Sequence, residues 1–341
     1  MIPSLFATTP KAVRPPHPTL LFVICACLAA PLLAGAQGAG THHRVGVLCP
    51  YTCAVPPIEA LRQALLARGY TEGRSLTFEF RWAEGHFDRF PALVAELVAS
   101  RVDVIFASGG LTGALAAKRA TTTIPIVFVV GIDPVQAGLV ASLARPGGNA
   151  TGLSGLYVDL VDKHVQFLED LLPGVTRVAA LWDVSIESAL APHVRALSGG
   201  SSAGGGAQLH PIPVRGLEDL ARAFRAAADT HAEAVLLVTS PTFFVGRSRI
   251  AALAAEYRVP TISPFLEYTE AGGLMAYGPN MSRQFADAAS LIDRILKGTP
   301  PANLPVQQPT AFDLSINLKT AKTLRLAIPD ALLIQAQEVI R

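Results

Sequence analysis

The stretch Ile124–Gly155, IPIVFVVGIDPVQAGLVASLARPGGNATGLSG, decides the fold. It opens with Ile124–Val130, a β-branched run that is apolar on both faces, as a strand buried in a parallel sheet must be. Gly131-Ile132-Asp133-Pro134 follows. Asp133 is placed to cap a helix whose first residue, Pro134, loses nothing by lacking an N–H. The pattern predicts that this helix stops near Leu143, where Arg145-Pro146-Gly147-Gly148-Asn149 is too rich in breakers to continue it. Thr151–Gly155 reads as an extended connector. A buried strand, a capped helix and a glycine-flanked exit describe the end of one α/β domain and a crossing into the next. Ligands of such sheets sit at the carboxyl ends of the strands, which turns the loop around Asp133 toward a cleft.

The residues before this stretch alternate in the same way. Arg44–Leu48 is a short strand with a long loop, Cys49–Pro57, at its carboxyl end. Ile58–Arg68 carries a helical stripe closed by Gly69. Strand Leu76–Trp82, a helix from Asp88 to Ser100, strand Val104–Ala107 and helix Leu111–Ala120 follow. Past the crossing the pattern restarts with helix Leu160–Leu172 and strand Val178–Leu181, which ends at Trp182-Asp183. Helix Glu187–Leu197 dissolves into the low-complexity Ser198–Gly206. Strand Gln208–Val214, helix Leu217–Thr230, strand Ala234–Val238, helix Ser248–Tyr257 and strand Thr261–Ser263 complete a second set. Gly272–Gly278 is again glycine-flanked and extended, and helix Arg283–Leu296 returns to the first domain. Strand–helix alternation of this kind gives doubly wound parallel sheets. The fold class expected is therefore α/β, two Rossmann-like lobes joined by crossover segments. The first lobe comprises 42–150 plus 279–308, and the second 151–278 plus 309–341.

Residues 1–36 read as a cleavable signal peptide: Lys11 and Arg14 form a positive region and Leu20–Leu33 an apolar core. Ala34-Gly35-Ala36 supplies a small-residue cleavage site. The core is shorter than the roughly 20 residues of a spanning helix. Ile24-Cys25-Ala26-Cys27 only faintly resembles a lipoprotein signal, because the apolar run continues beyond it. The expected location is the periplasm. Lys11 and Arg14 account for the whole excess of 28 basic over 26 acidic residues, so the exported chain is electrically balanced. A neutral chain without basic blocks is a poor partner for nucleic acid or an anionic membrane. Cys49 and Cys53 remain after cleavage, as a small-loop disulfide or as two free thiols; spacing alone does not establish the Cα separation a bond requires.

The ordered words of the mature chain resemble the substrate-binding proteins of bacterial ABC importers, in a family that includes tryptophan- and tyrosine-type binders. They are FRWAEG at Phe80–Gly85, DRFPAL at Asp88–Leu93, IPIVFV at Ile124–Val129, DPVQAGLVASLARPGGNATG at Asp133–Gly152, GGLMAYG at Gly272–Gly278 and ILKGTPPANLPVQQPTAFDLSINLKTAKTLRL at Ile295–Leu326. The resemblance implies a type I periplasmic-binding fold with three crossovers and a small ligand held between the lobes. It implies neither catalysis nor a cofactor, and it gives a membrane permease and an ATPase as partners. Three departures stand out. Ser198–Gly206 replaces a longer helix. The loop Trp182-Asp183-Val184-Ser185-Ile186 stands where the family commonly reads Asn-Pro-x-Asn-Pro. Cys49 and Cys53 lie where small polar residues are more usual. The last two departures fall on loops expected to line the cleft, so the ligand can differ from that of better-known relatives.

Candidate ligand contacts follow from strand ends. Ser108-Gly109-Gly110 precedes a helix N-terminus with Thr112 just inside it, where free N–H groups and the helix dipole favour a carboxylate; a tight strand–helix turn explains the glycines equally well. SGGLTG lacks the spacing of a dinucleotide fingerprint. Asp133 either caps its own helix or touches ligand. Asp183 either pairs with a ligand ammonium or is a solvated loop acid, and Ser185 lies in the same loop. Trp182, Phe243 and Phe265 are candidate walls for a flat ligand, with Phe244 assigned to the core. Tyr51 and Thr52 lie opposite, in the first lobe, and Asn280 follows the second crossing, where it could sense closure. The eight histidines show no pair at metal-ligand spacing on a helix face. Arg222, Arg225, Arg247 and Arg249 read as solvated helix faces.

Three classes of function compete on this scaffold. A solute-binding protein for an amino acid or an aromatic, carboxylate-bearing compound needs only the cleft. An exported enzyme needs a clustered acid, base or metal set, which the sequence does not offer; GLSGL at Gly152–Leu156 misses a nucleophile elbow by one position. A sensory domain would carry a spanning helix or a signalling module, and none is legible.

Overall fold

The computed structural model describes residues 42–52, 56–184 and 206–341. The signal-peptide reading of 1–36, Cys53, Ser185, the helix expected at 187–197 and most of the low-complexity segment lie outside these residues. His42–Arg341 form one compact unit.

The first sheet contains β1 (His43–Cys49), β2 (Leu76–Trp82), β3 (Val104–Ala107), β4 (Ile126–Val130) and β5 (Ala150–Ser154), in the order β2-β1-β3-β4-β5 and all parallel. Its helices are α1 (Pro56–Leu66), α2 (Phe90–Ala99) and α3 (Gly110–Ala120). The side-chain period of two splits each central strand between two cores. Val127 and Val129 face α1, whereas Ile126, Phe128 and Val130 face α2 and α3.

The second lobe repeats the winding. After α4 (Val161–Leu171) come β6 (Arg177–Asp183), β7 (Gln208–Val214), α5 (Leu220–Asp229), β8 (Ala234–Leu237), α6 (Pro241–Val245), α7 (Arg247–Glu256), β9 (Thr261–Ser263), α8 (Glu267–Glu270) and β10 (Met275–Gly278). The chain then returns through α9 (Met281–Leu296), whose Phe285, Ala288, Ile292 and Ile295 fill the first lobe's core beside α1. It ends with β11 (Asp313–Asn317), α10 (Leu318–Leu324), α11 (Asp330–Gln335) and β12 (Glu338–Ile340). Among the described residues the strands of this sheet run β12-β11-β10-β9-β8-β6-β7, and the antiparallel pair there is β10–β11.

Two local expectations are corrected. Thr151–Gly155 is not a free connector: residues through Ser154 belong to β5, paired with β4 along its whole length, and the crossing begins at Gly155. Gly152 shows how tight this edge is, since a Cβ there would lie 2.1 Å from the Phe128 carbonyl oxygen. The helix expected over Pro134–Leu143 is a single turn. Asp133 caps it, its Oδ1 accepting from Val135 N at 2.7 Å and Gln136 N at 3.3 Å. Gly138 then turns left-handed (φ 71°), and Lys118 Nζ takes the carbonyls of Gly138 and Leu139, both at 2.7 Å. Carbonyls satisfied from outside have no need of further helical turns.

The first and third crossings are bonded to each other. Ser154 N donates to Gln307 O at 2.9 Å, Gln307 N to Gly152 O at 2.9 Å, and Thr151 Oγ1 to Leu304 O at 2.7 Å. Where α4 meets β10, His164 is 1% exposed and its Nε2 donates to the Tyr277 carbonyl at 2.7 Å, while Nδ1 has no partner. Burial holds this imidazole neutral and lowers its pKa to about 4. The stabilising neutral form is therefore secure above the unfolded value near 6.5 and is lost as pH falls through about 4. Urea unfolding is expected to show that His164→Gln loses less stability than the native chain between pH 6.5 and 4. The difference should be about 3 kcal/mol at most.

Candidate ligand-binding cleft

In both lobes the first strand sits inside the sheet, with the second strand on one side and the third on the other. The winding therefore reverses between β1 and β3 and again between β6 and β8, and the crevice at the carboxyl ends of such strands is where ligands bind. A cavity of about 120 Å³ lies there. The first lobe supplies Tyr51 and Thr52 after β1, Ser108–Thr112 after β3, and Gly131 and Ile132 after β4; the second supplies Thr239, Pro241, Phe244, Val245 and Phe265. Tyr157 from the first crossing and Met281 and Phe285 from α9 close the rear.

An aromatic cluster forms one wall. Phe265 meets Tyr157 with ring centroids 5.4 Å apart and Phe244 edge-to-face at 5.4 Å, within the range favoured by aromatic pairs. Tyr157 Oη accepts from Gln284 Nε2 of α9 at 2.9 Å, tying this wall to the first lobe. Burial pushes the Tyr157 phenol well above its ordinary range. Its ring also requires Gly155, because a Cβ there would fall 2.3 Å from Tyr157 Cε2.

Across the mouth, Tyr51 Oη donates to Thr242 Oγ1 at 3.2 Å, a bond between the lobes. The Tyr51 ring packs edge-on against Phe87 at 6.0 Å and fills the space over Gly85, which is left-handed at φ 84°. Burial pushes the Tyr51 pKa up, against the bond to Thr242 and with smaller help from Asp183 and Glu218, so the phenol keeps its proton. Cys49, disulfide-bonded and 3% exposed, lies beneath this loop.

The N-terminus of α3 opens on the same space. Gly109 is its N-cap and no side chain caps it. A Cβ on Gly109 would lie 2.7 Å from the Phe90 ring, so this glycine lets α3 seat against α2. Ser108 Oγ donates to Leu48 O at 2.9 Å. Its proton is thus spent within the sheet, and toward a ligand it can only accept. Among the described residues no group of three or more His, Cys, Asp or Glu is placed to hold a metal ion.

This geometry matches the comparison with known proteins. The family model for ABC transporter substrate binding proteins matches residues 57–340. The chain belongs to that family. A tyrosine-binding protein of Clostridioides difficile (strain R20291) is 26% identical over 77% of this chain and 74% of its own. A conserved domain protein from Vibrio cholerae O1 biovar El Tor is 28% identical, with a TM-score of 0.79 over 88% of this chain and all of that one. The ABC domain from Streptococcus pneumoniae in complex with L-Trp is 22% identical, with a TM-score of 0.77 and the same coverage. The two-lobed fold is that of type I periplasmic binding proteins.

In this substrate-binding protein the cavity brings together Tyr51, Thr52, Ser108, Gly109, Gly110, Thr112 and Phe265 of the residues expected from sequence. Ser185 lies outside the described residues, and the other described candidates lie outside the lining. Asp133 is a turn cap beside the lining residue Ile132. Trp182 points into the core under α4. Asn280 caps α9, its Oδ1 accepting from Arg283 N at 2.9 Å. Asp183 is fully buried, and Ser240 Oγ donates to its Oδ2 at 2.5 Å, so it is not a solvated loop acid.

Phe243 and Phe244 exchange the places expected of them. Pro241, Phe244 and Val245 share one face of α6 by the i, i+3, i+4 rule and line the cavity, whereas Phe243 is 1% exposed in the core beneath. The signal was present: Ser240 before Pro241 is an N-cap followed by proline at N1, and it starts a helix there. Arg247 is not simply solvated; its guanidinium stacks on Phe244 at 4.9 Å. Tyr157 and Thr239 carried no pattern that distinguished them.

Phe243→Ala is expected to cost about 3–5 kcal/mol in urea unfolding. Phe244→Ala should cost less stability and more ligand affinity, which thermal shift with and without ligand will separate. Tyr51→Phe, which removes only the bond across the mouth, should weaken binding by several-fold, about 0.5–1.5 kcal/mol by calorimetry, with unfolding unchanged.

Proposed function

We propose that this chain is the solute-binding component of an ABC import system, exported to the periplasm, where it captures a small ligand between its lobes and passes it to a membrane permease driven by an ATPase. The observation that carries the reading is a cavity lined from both lobes and bridged at its mouth by Tyr51 and Thr242. A ligand held there contacts both halves at once, so its binding energy favours the closed arrangement. The aromatic wall of Tyr157, Phe244 and Phe265 supports a flat ligand, and the uncapped start of α3 supports a carboxylate on it. The names of the relatives, a tyrosine-binding protein and a domain holding L-Trp, favour an amino acid or a related aromatic compound. Its relatives are binding proteins, which favours capture over turnover. The lobe boundaries that follow place 42–154 and 279–308 on one side and the rest of the described chain on the other.

Native mass spectrometry of protein purified from its own periplasm, without refolding, tests this directly. The expected species begins after Ala36 and carries one small organic molecule, displaced when Val245→Trp fills the cavity. A chain that retains residues 1–36, or turnover of the bound molecule by the pure protein, would sink the reading.

A further inference from the structure

We infer that Gly131 is the seat on which the two lobes close: because it has no side chain, the segment Thr239–Thr242 of the second lobe settles against the first, and a β-carbon at this position holds the cleft ajar. The inference rests on the binding-protein reading above and deepens it by naming a residue that positions the closed arrangement. One short segment makes the contacts that carry it. Tyr51, after β1, donates through Oη to Thr242 Oγ1 at 3.2 Å. A Cβ on Gly110, at the start of α3, would meet Pro241 Cγ at 3.5 Å. A Cβ on Gly131, after β4, would meet Thr239 Oγ1 at 3.1 Å, Tyr157 Cδ2 at 3.1 Å and Thr239 Cγ2 at 3.2 Å. The loops after β1, β3 and β4 thus converge on Thr239–Thr242.

Gly131 differs from the glycines that serve packing within a lobe. The atom nearest a Cβ on Gly46 belongs to Leu97, on Gly109 to Phe90 and on Gly152 to Phe128, each in the same lobe as its glycine. For Gly131 the nearest described atoms lie across the cleft, on Thr239, and on the first crossing, on Tyr157. Gly131 is not left-handed, so a methyl there strains no backbone of its own. Gly110, left-handed at φ 64°, does not separate the two effects in this way.

Neither neighbour has room to retreat, since Thr239 and Tyr157 are both buried. The Tyr157 ring packs on Phe265, and its Oη accepts from Gln284 Nε2 at 2.9 Å. Thr239 is β-branched and has few rotamers to choose from. The next residue, Ser240, donates to Asp183 Oδ2 at 2.5 Å and accepts from Thr242 N at 3.0 Å, which pins the segment to the second lobe. Separations of 3.1–3.2 Å are shorter than a carbon contact prefers, so what yields to a methyl is the gap between the lobes. The cost falls on the closed arrangement and not on the open one, and a cost borne by one of two states moves the balance between them.

The test is retention of the co-purified molecule, followed by native mass spectrometry after dilution of mature protein taken from its own periplasm. Gly131→Ala is expected to release that molecule about tenfold faster than the native chain, or more. Gly148→Ala, whose added carbon has no described atom within 4 Å, should release it at the native rate. In a Thr239→Ala background the Gly131 substitution should cost less than about threefold, because two of the three close atoms are gone. A smaller effect of Gly131→Ala overturns the inference, and so does faster release from Gly148→Ala. A cost that persists in the Thr239→Ala background overturns it as well, because the methyl then acts on something other than the second lobe. So does a broad charge-state envelope for Gly131→Ala, the mark of an unfolded chain, since Gly131 would then serve the first lobe's own fold. The parent reading fails separately: native protein that carries no molecule, or a molecule that survives Val245→Trp, sinks the cleft as a binding site and this inference with it.

Discussion

Burial of both faces of two largely parallel sheets governs this molecule. Strands such as Ile126–Val130 are apolar on each side because helices cover each side. Once the faces are closed, only strand ends remain for function. The carboxyl ends of β1, β3, β4 and β8 point the loops that follow them into one shared space, so the position of the cleft follows from how the cores are packed. The functional side chains are short outgrowths of that packing. Gly109 is needed to seat α3, Gly85 to seat Tyr51 and Gly155 to seat Tyr157, and each of these glycines positions a piece of the site.

The polar groups around the cleft are mostly engaged with the protein itself. Ser108 gives its proton to the sheet, Asp133 its acceptor to a turn, Asn280 its acceptor to α9 and Asp183 an oxygen to Ser240. Such internal bonds cost the ligand nothing and fix the shape it meets. What is left facing the cavity is aromatic and aliphatic surface with a ring of hydroxyls. Apolar lining with a few polar groups is the usual balance of small-molecule sites, where burial supplies affinity and the polar groups orientation.

Much of the fold was legible in the sequence, because strands apolar on both faces alternated with amphipathic helices and the strand order follows from winding them in turn. The failures have local causes. Val135, Leu139, Val140 and Leu143 mimic a helical stripe, but Gly138 and the reach of Lys118 from α3 end the helix after one turn; no window of sequence contains that lysine contact. The site was half legible. Residues directly after strands (Tyr51, Ser108, Phe265) were found because topology alone places them. Phe243 and Phe244 exchange places because the short helix that starts at Ser240–Pro241 is absent from the strand–helix reading, and a strand end alone gives no rule for which of two neighbours faces inward. Asp183 is bonded to a partner 57 residues away, and sequence distance conceals such pairing.

The bonded crossings have a mechanical consequence. Leu153 and Gln307 form a parallel bridge between the two segments, so neither can bend without dragging the other. A pair of stiffened straps acts as a door hinge rather than a ball joint: it permits rotation about one line and resists twist. Any opening of this molecule then follows a single arc. A receptor surface touching both halves would find them in register at only one point along it.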